Sequence, residues 1–192
     1  LRPYLEGLSS RGAEEAPGEV AAAAAPDPAA LAALREAALG PAGAYRPGRE
    51  WQAFAEALFR RVPAFSVYAN VTTDSGPLGV LLAVDPAADG GAYWSAYEPA
   101  VLVEPVDIEA ATPRRLAAEM LGKLEAHGLR LAILVASAPD ADRARAERLS
   151  GMRGERCLVT LDDAEIARLI AEGGDLDALL RRRVLEARLR RL

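Results

Sequence analysis

The sequence predicts an α/β domain with a mixed central β-sheet flanked by helices. An alternating segment from Phe65 to Thr72 and a continuous apolar run from Leu78 to Val84 flank the turn Asp74 to Pro77, which is the pattern of a β-hairpin. The wholly apolar run Leu131 to Ala136 is typical of a strand that helices cover on both faces. Because a strand and a helix precede this run, we expect a right-handed parallel crossover.

The remaining elements are predicted from apolar spacing and from caps. Ala100 to Glu104 is a buried strand, and Pro105 is expected to end its pairing because proline has no N–H. One helix is indicated by apolar residues that recur at helical spacing, namely Trp51, Phe54, Ala55, Leu58 and Val62. Further elements are a helix from Thr112 to Gly128, a charged helix from Ala141 to Leu149, a strand from Cys157 to Leu161, a helix with a capping box of Asp162 and Glu165, and a last helix capped by Asp175.

Two regions of the chain differ in composition. We expect residues 1–45 to form a flexible Ala- and Pro-rich tail with one short helix, Leu31 to Leu39, capped by Asp27. Residues 46–192 are expected to form the folded domain. Since the sequence starts at Leu1 rather than Met, we also expect it to be part of a longer protein.

Composition narrows the classes of function. A net charge of −5 argues against a protein that coats nucleic acid, because phosphate binding depends on Lys and Arg. No apolar run approaches the roughly 20 residues of a membrane-spanning helix, and we expect no membrane association. Cys157 is the only cysteine, and no secretory signal is visible, so a cytoplasmic location is expected. Lys123 is the only lysine.

Six segments together resemble the Mrr-like branch of the restriction-endonuclease-like, or PD-(D/E)xK, superfamily. Their order and spacing carry the resemblance, which extends from about Arg46 to Leu192. It implies a three-layer fold with a mixed central sheet. The segments are Pro47–Gln52, Ser75–Leu81, Val101–Val106, Leu121–Leu124, Ala132–Ser137 and Leu158–Asp162.

The resemblance also implies a degenerate active site. Active members cleave DNA phosphodiesters with a divalent metal held by an aspartate and a glutamate, and a lysine two residues after that glutamate assists the attacking water. Here Glu104 is retained, but Val106 stands in the position of the lysine and Gly79 in that of the aspartate. Gln52 replaces a glutamate that this branch often has on its first helix. We therefore expect neither a bound metal nor another cofactor.

A rearranged active site is the alternative. Lys123, on the crossover helix, is a possible migrated lysine, although its spacing from Glu119 favours an exposed ion pair. Asp74 and Asp85 are possible substitute ligands, although aspartates in turns mostly form local hydrogen bonds. On this alternative the chain is an active Mg²⁺-dependent deoxyribonuclease.

Other polar and aromatic residues are weaker candidates. The arginines of the last helix are a candidate nucleic-acid-binding surface, although stabilisation of the helix end is the favoured interpretation: Arg181, Arg182, Arg183, Arg188, Arg190 and Arg191. Tyr93, Trp94 and Tyr97 suit stacking on bases or a protein partner, with packing in the core favoured. His127 is a poor metal site by itself, and Cys157 is a typical core residue.

These observations predict a catalytically degenerate nuclease-fold domain. We expect it to act as a DNA-contacting or protein-assembly module in a bacterial restriction, defence or repair system. A protein partner or a homo-oligomer is expected, with DNA a weaker possibility. The alternatives are the active nuclease and a structural dimerisation or adaptor domain.

Overall fold

The computed structural model describes residues 27–40, 43–73, 76–106, 112–137 and 148–191. The helices there are α1 (Pro28–Leu39), α2 (Arg49–Phe59), α3 (Gly91–Trp94), α4 (Pro113–Ala126), α5 (Asp163–Ala171) and α6 (Leu176–Arg188). The strands are β1 (Phe65–Thr73), β2 (Gly76–Val84), β3 (Ala100–Val106), β4 (Leu131–Ala136), β5 (Gly151–Arg153) and β6 (Arg156–Asp162).

The six strands form one mixed, open sheet in the order β1-β2-β3-β4-β6-β5. β1, β2 and β3 are successively antiparallel, β3, β4 and β6 are parallel, and β5 returns antiparallel to β6. The predicted α/β class, the β1–β2 hairpin and the parallel crossover through α4 are therefore confirmed.

Helices cover both faces of this sheet. Val101 and Val103 point into a large apolar core with α1, α2, α5 and α6, whereas Leu102 points into a second core beneath α4. This alternation follows from the pleat of a strand. The predicted apolar face of α2 is confirmed, since Trp51 and Phe54 are buried in the first core.

Pro105 does not end β3, contrary to the sequence prediction. The strand continues to Val106, and Pro105 lies opposite Val135 of β4. The β2–β3 ladder has already ended at the pair Val80–Val103. Pro105 therefore lies where β3 has a partner strand on one side only, which is the kind of position in which a missing N–H is tolerated.

Three short elements are absent from the sequence prediction. α3 and the following 3₁₀ turn, Ser95–Tyr97, place Trp94 in the core. β5 has only three residues, too few to show alternation, and is joined to β6 by a turn at Gly154, whose φ is 61°. Most of the predicted helix Ala141 to Leu149 lies outside the described residues.

The folded unit begins before residue 46. α1 packs on α2 and α5, and Leu31 and Tyr45 are each 1% exposed. The guanidinium of Arg35 forms an ion pair with Asp163 at the start of α5. Residues 27–45, as far as they are described, are therefore part of the domain and not of a flexible tail.

Most of the predicted helix caps are present. The predicted cap Asp175 accepts from the N–H of Ala178, and Thr112, at the predicted start of α4, accepts from that of Arg115. Asp27 occupies the N-cap position of α1 without a side-chain hydrogen bond. Asp162 caps α5 through Ala164, but Glu165 binds Arg183 instead of completing the capping box.

None of the helices in the described ranges is long and apolar enough to cross a membrane.

Candidate functional site around Glu104

Glu104 lies near the carboxyl end of β3, on the face of the sheet that α4 covers. It is 7% exposed although it is a charged residue. Leu134 of β4 lies beside it on one side. On the other side the β2–β3 register, which pairs Val80 with Val103, brings Gly79 next to it. Glu104 is thus a buried carboxylate, which requires a partner.

Lys123 is that partner. Its Nζ lies 3.1 Å from Oε1 of Glu104, and the lysine side chain is 30% exposed. Lys123 follows Leu116 by seven residues and Met120 by three, so it lies on the buried stripe of α4. It pairs with Glu104 instead of with Glu119. The stem of the lysine covers the apolar core while the ammonium reaches the carboxylate.

Gly79 provides a second hydrogen bond to the same carboxylate. Its N–H donates to Oε1 of Glu104 at 3.3 Å. The β1–β2 register runs through Ala69–Val80 and Val71–Leu78, but the intervening pair, Asn70 with Gly79, is missing. Asn70 has a φ of 58°, a left-handed conformation that asparagine adopts more readily than most residues. We infer that this local break in the ladder leaves the N–H of Gly79 available to Glu104.

The space beside Gly79 is already filled. A Cβ at this position would lie 3.1 Å from Oε2 of Glu104 and 3.2 Å from the carbonyl oxygen of Val103. An aspartate at this position would require Glu104 to shift. Val106, on the same side as Glu104, is 3% exposed and packs in the apolar core beneath α4.

The donor set does not fit a divalent metal. Catalytic metals of this kind need several oxygen ligands, and here a single carboxylate is already paired with an ammonium. Among the described residues there is no group of three or more His, Cys, Asp or Glu side chains that could hold a metal.

Neither Asp85 nor Gln52 is brought to Glu104. Asp85 accepts from the N–H of Ala87 in a turn. It lies six residues along the chain from Gly79, which corresponds to about 20 Å of extended strand. Gln52 lies on α2, which packs on the opposite face of the sheet. Asp74 lies outside the described residues.

The arginines at the start of the candidate basic surface are held by carboxylates. Arg181 lies 2.6 Å from Asp177, and Arg183 binds both Glu165 and Glu186. Arg182 forms only long, weak ion pairs, 3.9 Å from Glu165 and 4.0 Å from Glu186. The carboxylates of α5 and α6 therefore offset much of this positive charge.

Arg188, Arg190 and Arg191 lie at the end of α6 and beyond it. Arg188 is close enough to Tyr97 and Cys157 to oppose the rise in their pKa values. The carbonyl of Arg190 accepts from the N–H of Met152, and Arg191 forms an isolated bridge with the same residue. This end of the chain therefore contacts β5.

The aromatic candidates belong to the core. Trp94 is fully buried, and its Nε1 donates to Asp177 at 2.7 Å. Tyr97 is 7% exposed, and burial raises its pKa to about 12. Tyr93 packs edge-on against Trp94 and lies beneath the guanidinium of Arg181. None of these rings is free to stack on a base.

His127 and Cys157 have the structural positions that their sequence contexts indicate. His127 is the C-cap of α4. Cys157 is buried in β6, and burial raises the pKa of its thiol to about 12.

A second polar cluster was not predicted from the sequence. The carboxylate of Asp163 binds the guanidinium of Arg35 and accepts from the Tyr45 hydroxyl. The N–H of Tyr45 donates to the hydroxyl of Ser137, directly after β4. Burial first, and then the bond to Asp163, raise the pKa of Tyr45. Since 128 positions separate Arg35 from Asp163, no local pattern marks this cluster.

No protein-family model, no curated protein and no solved structure matches this chain.

Proposed function

We propose that this chain is a catalytically inactive domain of the restriction-endonuclease-like fold that acts as a protein-assembly module in a bacterial restriction, defence or repair system. The observation that carries the proposal is the occupation of Glu104 Oε1 by both Lys123 and the Gly79 N–H. The one carboxylate that the family resemblance retains is thereby used as an internal ion-pair partner. Val106 and Gly79 supply neither the lysine nor the aspartate that cleavage needs.

The three-layer restriction-endonuclease-like architecture is part of this proposal. Three antiparallel strands followed by parallel strands across a helical crossover agree with it, as do helices on both faces. Fold by itself does not establish activity. The inactivity therefore rests on the side chains around Glu104.

Assembly is favoured over DNA contact by the arginines of α6. Arg181 and Arg183 are the least exposed of its central arginines and are bound by carboxylates of the same chain. Counterion release, which drives phosphate binding, requires arginines that can approach the backbone of DNA. The net charge of −5 opposes DNA binding further.

A metal-dependent cleavage assay tests the proposal. The chain and a Glu104→Ala variant are incubated with supercoiled plasmid and with single-stranded DNA, in Mg²⁺ and in Mn²⁺. We expect no cleavage above background for either protein. Cleavage by the natural chain that Glu104→Ala abolishes would overturn the proposal.

The 3.1 Å contact between Lys123 and Glu104 favours one second candidate, a nuclease with a rearranged site. Lys123 would then orient the attacking water in place of Val106, with Mg²⁺ as cofactor. The same assay with Lys123→Met distinguishes the two proposals. Loss of a genuine cleavage activity in Lys123→Met and in Glu104→Ala together would establish this candidate.

Binding of DNA is tested separately by fluorescence anisotropy with a labelled duplex. We expect no salt-sensitive binding by the natural chain. Binding that weakens steeply with salt and is lost in Arg182→Gln/Arg188→Gln would favour the DNA-contacting module instead.

A further inference from the structure

β1 is an edge strand with outward-facing backbone groups. Asp85 donates its N–H to the carbonyl of Ala64, and Val84 donates to Pro99, away from β1. Phe65, opposite Val84, therefore directs its backbone groups away from β2. Successive residues of a strand alternate in this direction, so Val67 and Ala69 also point their N–H and C=O groups outward. In the described part of the chain β1 is the outermost strand, and no strand pairs with it on that side.

The chemistry of this edge differs from that of the opposite edge. β1 has nine residues, with no charge and no proline, in a chain in which 27% of residues are charged. Charged residues and prolines are the usual protection of an exposed edge strand against pairing. β5, at the other edge, has only three residues, and the N–H of Met152 donates to the carbonyl of Arg190 at 2.9 Å. Within the described ranges, β5 is therefore covered by the segment that follows α6, whereas β1 has no neighbouring strand on its outer side.

We propose that β1 pairs antiparallel with β1 of a second copy of this chain, about a twofold axis at Tyr68. This inference rests on the assembly role proposed above and names its partner. An interface about a twofold axis must be complementary to itself. A strand without charge meets this requirement, because no like charges meet across the axis.

An axis at Tyr68 pairs the outward-facing backbone groups of one copy with those of the other. Val67 of each copy lies opposite Ala69 of the other, and each such pair exchanges two backbone hydrogen bonds. The two Tyr68 rings form a non-hydrogen-bonded pair, in which side chains lie closest, and aromatic pairs stabilise such positions. Tyr68 is half-buried at the border of the core beneath α4, so the second copy extends that core. The left-handed Asn70 bounds the pairing segment on one side.

Charge reversal at the axis tests this arrangement. Tyr68→Lys places two ammonium groups opposite each other, and Tyr68→Glu places two carboxylates. We expect sedimentation equilibrium to show a dimer for the natural chain and a dissociation constant raised at least about tenfold for each variant alone. An equimolar mixture of the two variants is expected to form a heterodimer. Matched controls are Ser95→Lys and Ser95→Glu, at an exposed serine outside β1, which should dimerise like the natural chain.

Amide hydrogen exchange of the natural chain provides a readout that does not depend on the folding of a variant. Ser66 and Tyr68 direct their N–H groups to β2, and we expect them to be protected at every concentration. Val67 and Ala69 should exchange rapidly in dilute solution and become protected as concentration rises. A natural chain that stays monomeric, or a dimer in which Val67 and Ala69 gain no protection, would overturn the inference. A heterodimer that fails to form while both variants are folded would do the same.

The proposed dimer and the proposed inactive site are tested by different measurements. A monomer without nuclease activity would overturn only this inference. A dimer that cleaves DNA through Glu104 would overturn only the proposed function.

Discussion

The ammonium of Lys123 lies 3.1 Å from Oε1 of Glu104 and joins the crossover helix α4 to the central strand β3. The glutamate side chain is 9% exposed and the lysine side chain 30% exposed. The net stabilisation by such a buried ion pair is smaller than the loss of stability when one member is removed. The reason is that the removal leaves the other charge buried without a partner.

Lys123→Met is therefore expected to lower the free energy of unfolding by about 1–3 kcal/mol, since the buried Glu104 is left without its ion-pair partner. The same change in a Glu104→Gln background should cost much less, because a neutral amide needs no ammonium. Urea denaturation of the four proteins measures the coupling. Equal costs in both backgrounds would show that the two side chains do not interact.

Gly79→Asp is expected to destabilise the chain by about 1–3 kcal/mol, because a second carboxylate and a Cβ enter the space that Glu104 occupies. Two facing carboxylates can hold a divalent ion, so Mg²⁺ or Mn²⁺ should raise the melting temperature of this variant. Gly79→Asn is the uncharged control and should show the steric loss without the metal response. A natural chain that responds to the metal as strongly as Gly79→Asp would contradict the description of the site.

Deletion of residues 1–45 is expected to cost more than about 3 kcal/mol or to cause aggregation, because it removes the buried Leu31 and Tyr45. Tyr45 also stacks on Phe54, with ring centroids 5.7 Å apart. Deletion of residues 1–26 is the matched control, since it keeps every described contact. Thermal melting compares the two, and superimposable curves would place the domain boundary at residue 46 after all.

Stability should fall above pH 9. Burial raises the pKa of Cys157 from 9.0 to about 12 and that of Tyr97 from 10.0 to about 12. Between these values the unfolded chain has lost protons that the folded chain still binds, so rising pH favours unfolding. The stabilisation that these buried, protonated groups provide is fully present below pH 9 and is lost as the pH approaches 12.

Urea midpoints at pH 8 and pH 11 measure this loss of stability. Cys157→Ala removes one of the groups whose pKa is raised by burial, so its midpoint should fall less between the two pH values. A fall as large as that of the natural chain would exclude Cys157 as a cause.

Elements with regular spacing could be predicted from the sequence. The stripe that includes Trp51 and Phe54 and the apolar run Leu131–Ala136 each report burial directly, and both have the predicted form. The partner of Lys123 could not be predicted, because the choice between Glu104 and Glu119 depends on which side of α4 meets the sheet. Seven-residue spacing from Leu116 was the available signal.

Other features depend on contacts that are remote in sequence. Asn70 is a single left-handed residue that interrupts the β1–β2 ladder, although the sequence around it has an ordinary strand pattern. Arg35 and Asp163 are 128 positions apart, and all six described strands lie between them in the sequence. The packing of α1 in the domain could not be predicted either, because the Ala- and Pro-rich composition around α1 resembles that of a linker.

The bond from the Met152 N–H to the Arg190 carbonyl also limits the size of any assembly through the sheet. With β5 in contact with the segment that follows α6, the described part of the chain leaves one sheet edge for strand pairing instead of two. Pairing through β1 would use that edge in both copies and give one continuous twelve-stranded sheet with β5 at each outer edge. The contact of Arg190 and Arg191 with Met152 would thus oppose fibril growth at the sheet edge opposite to β1.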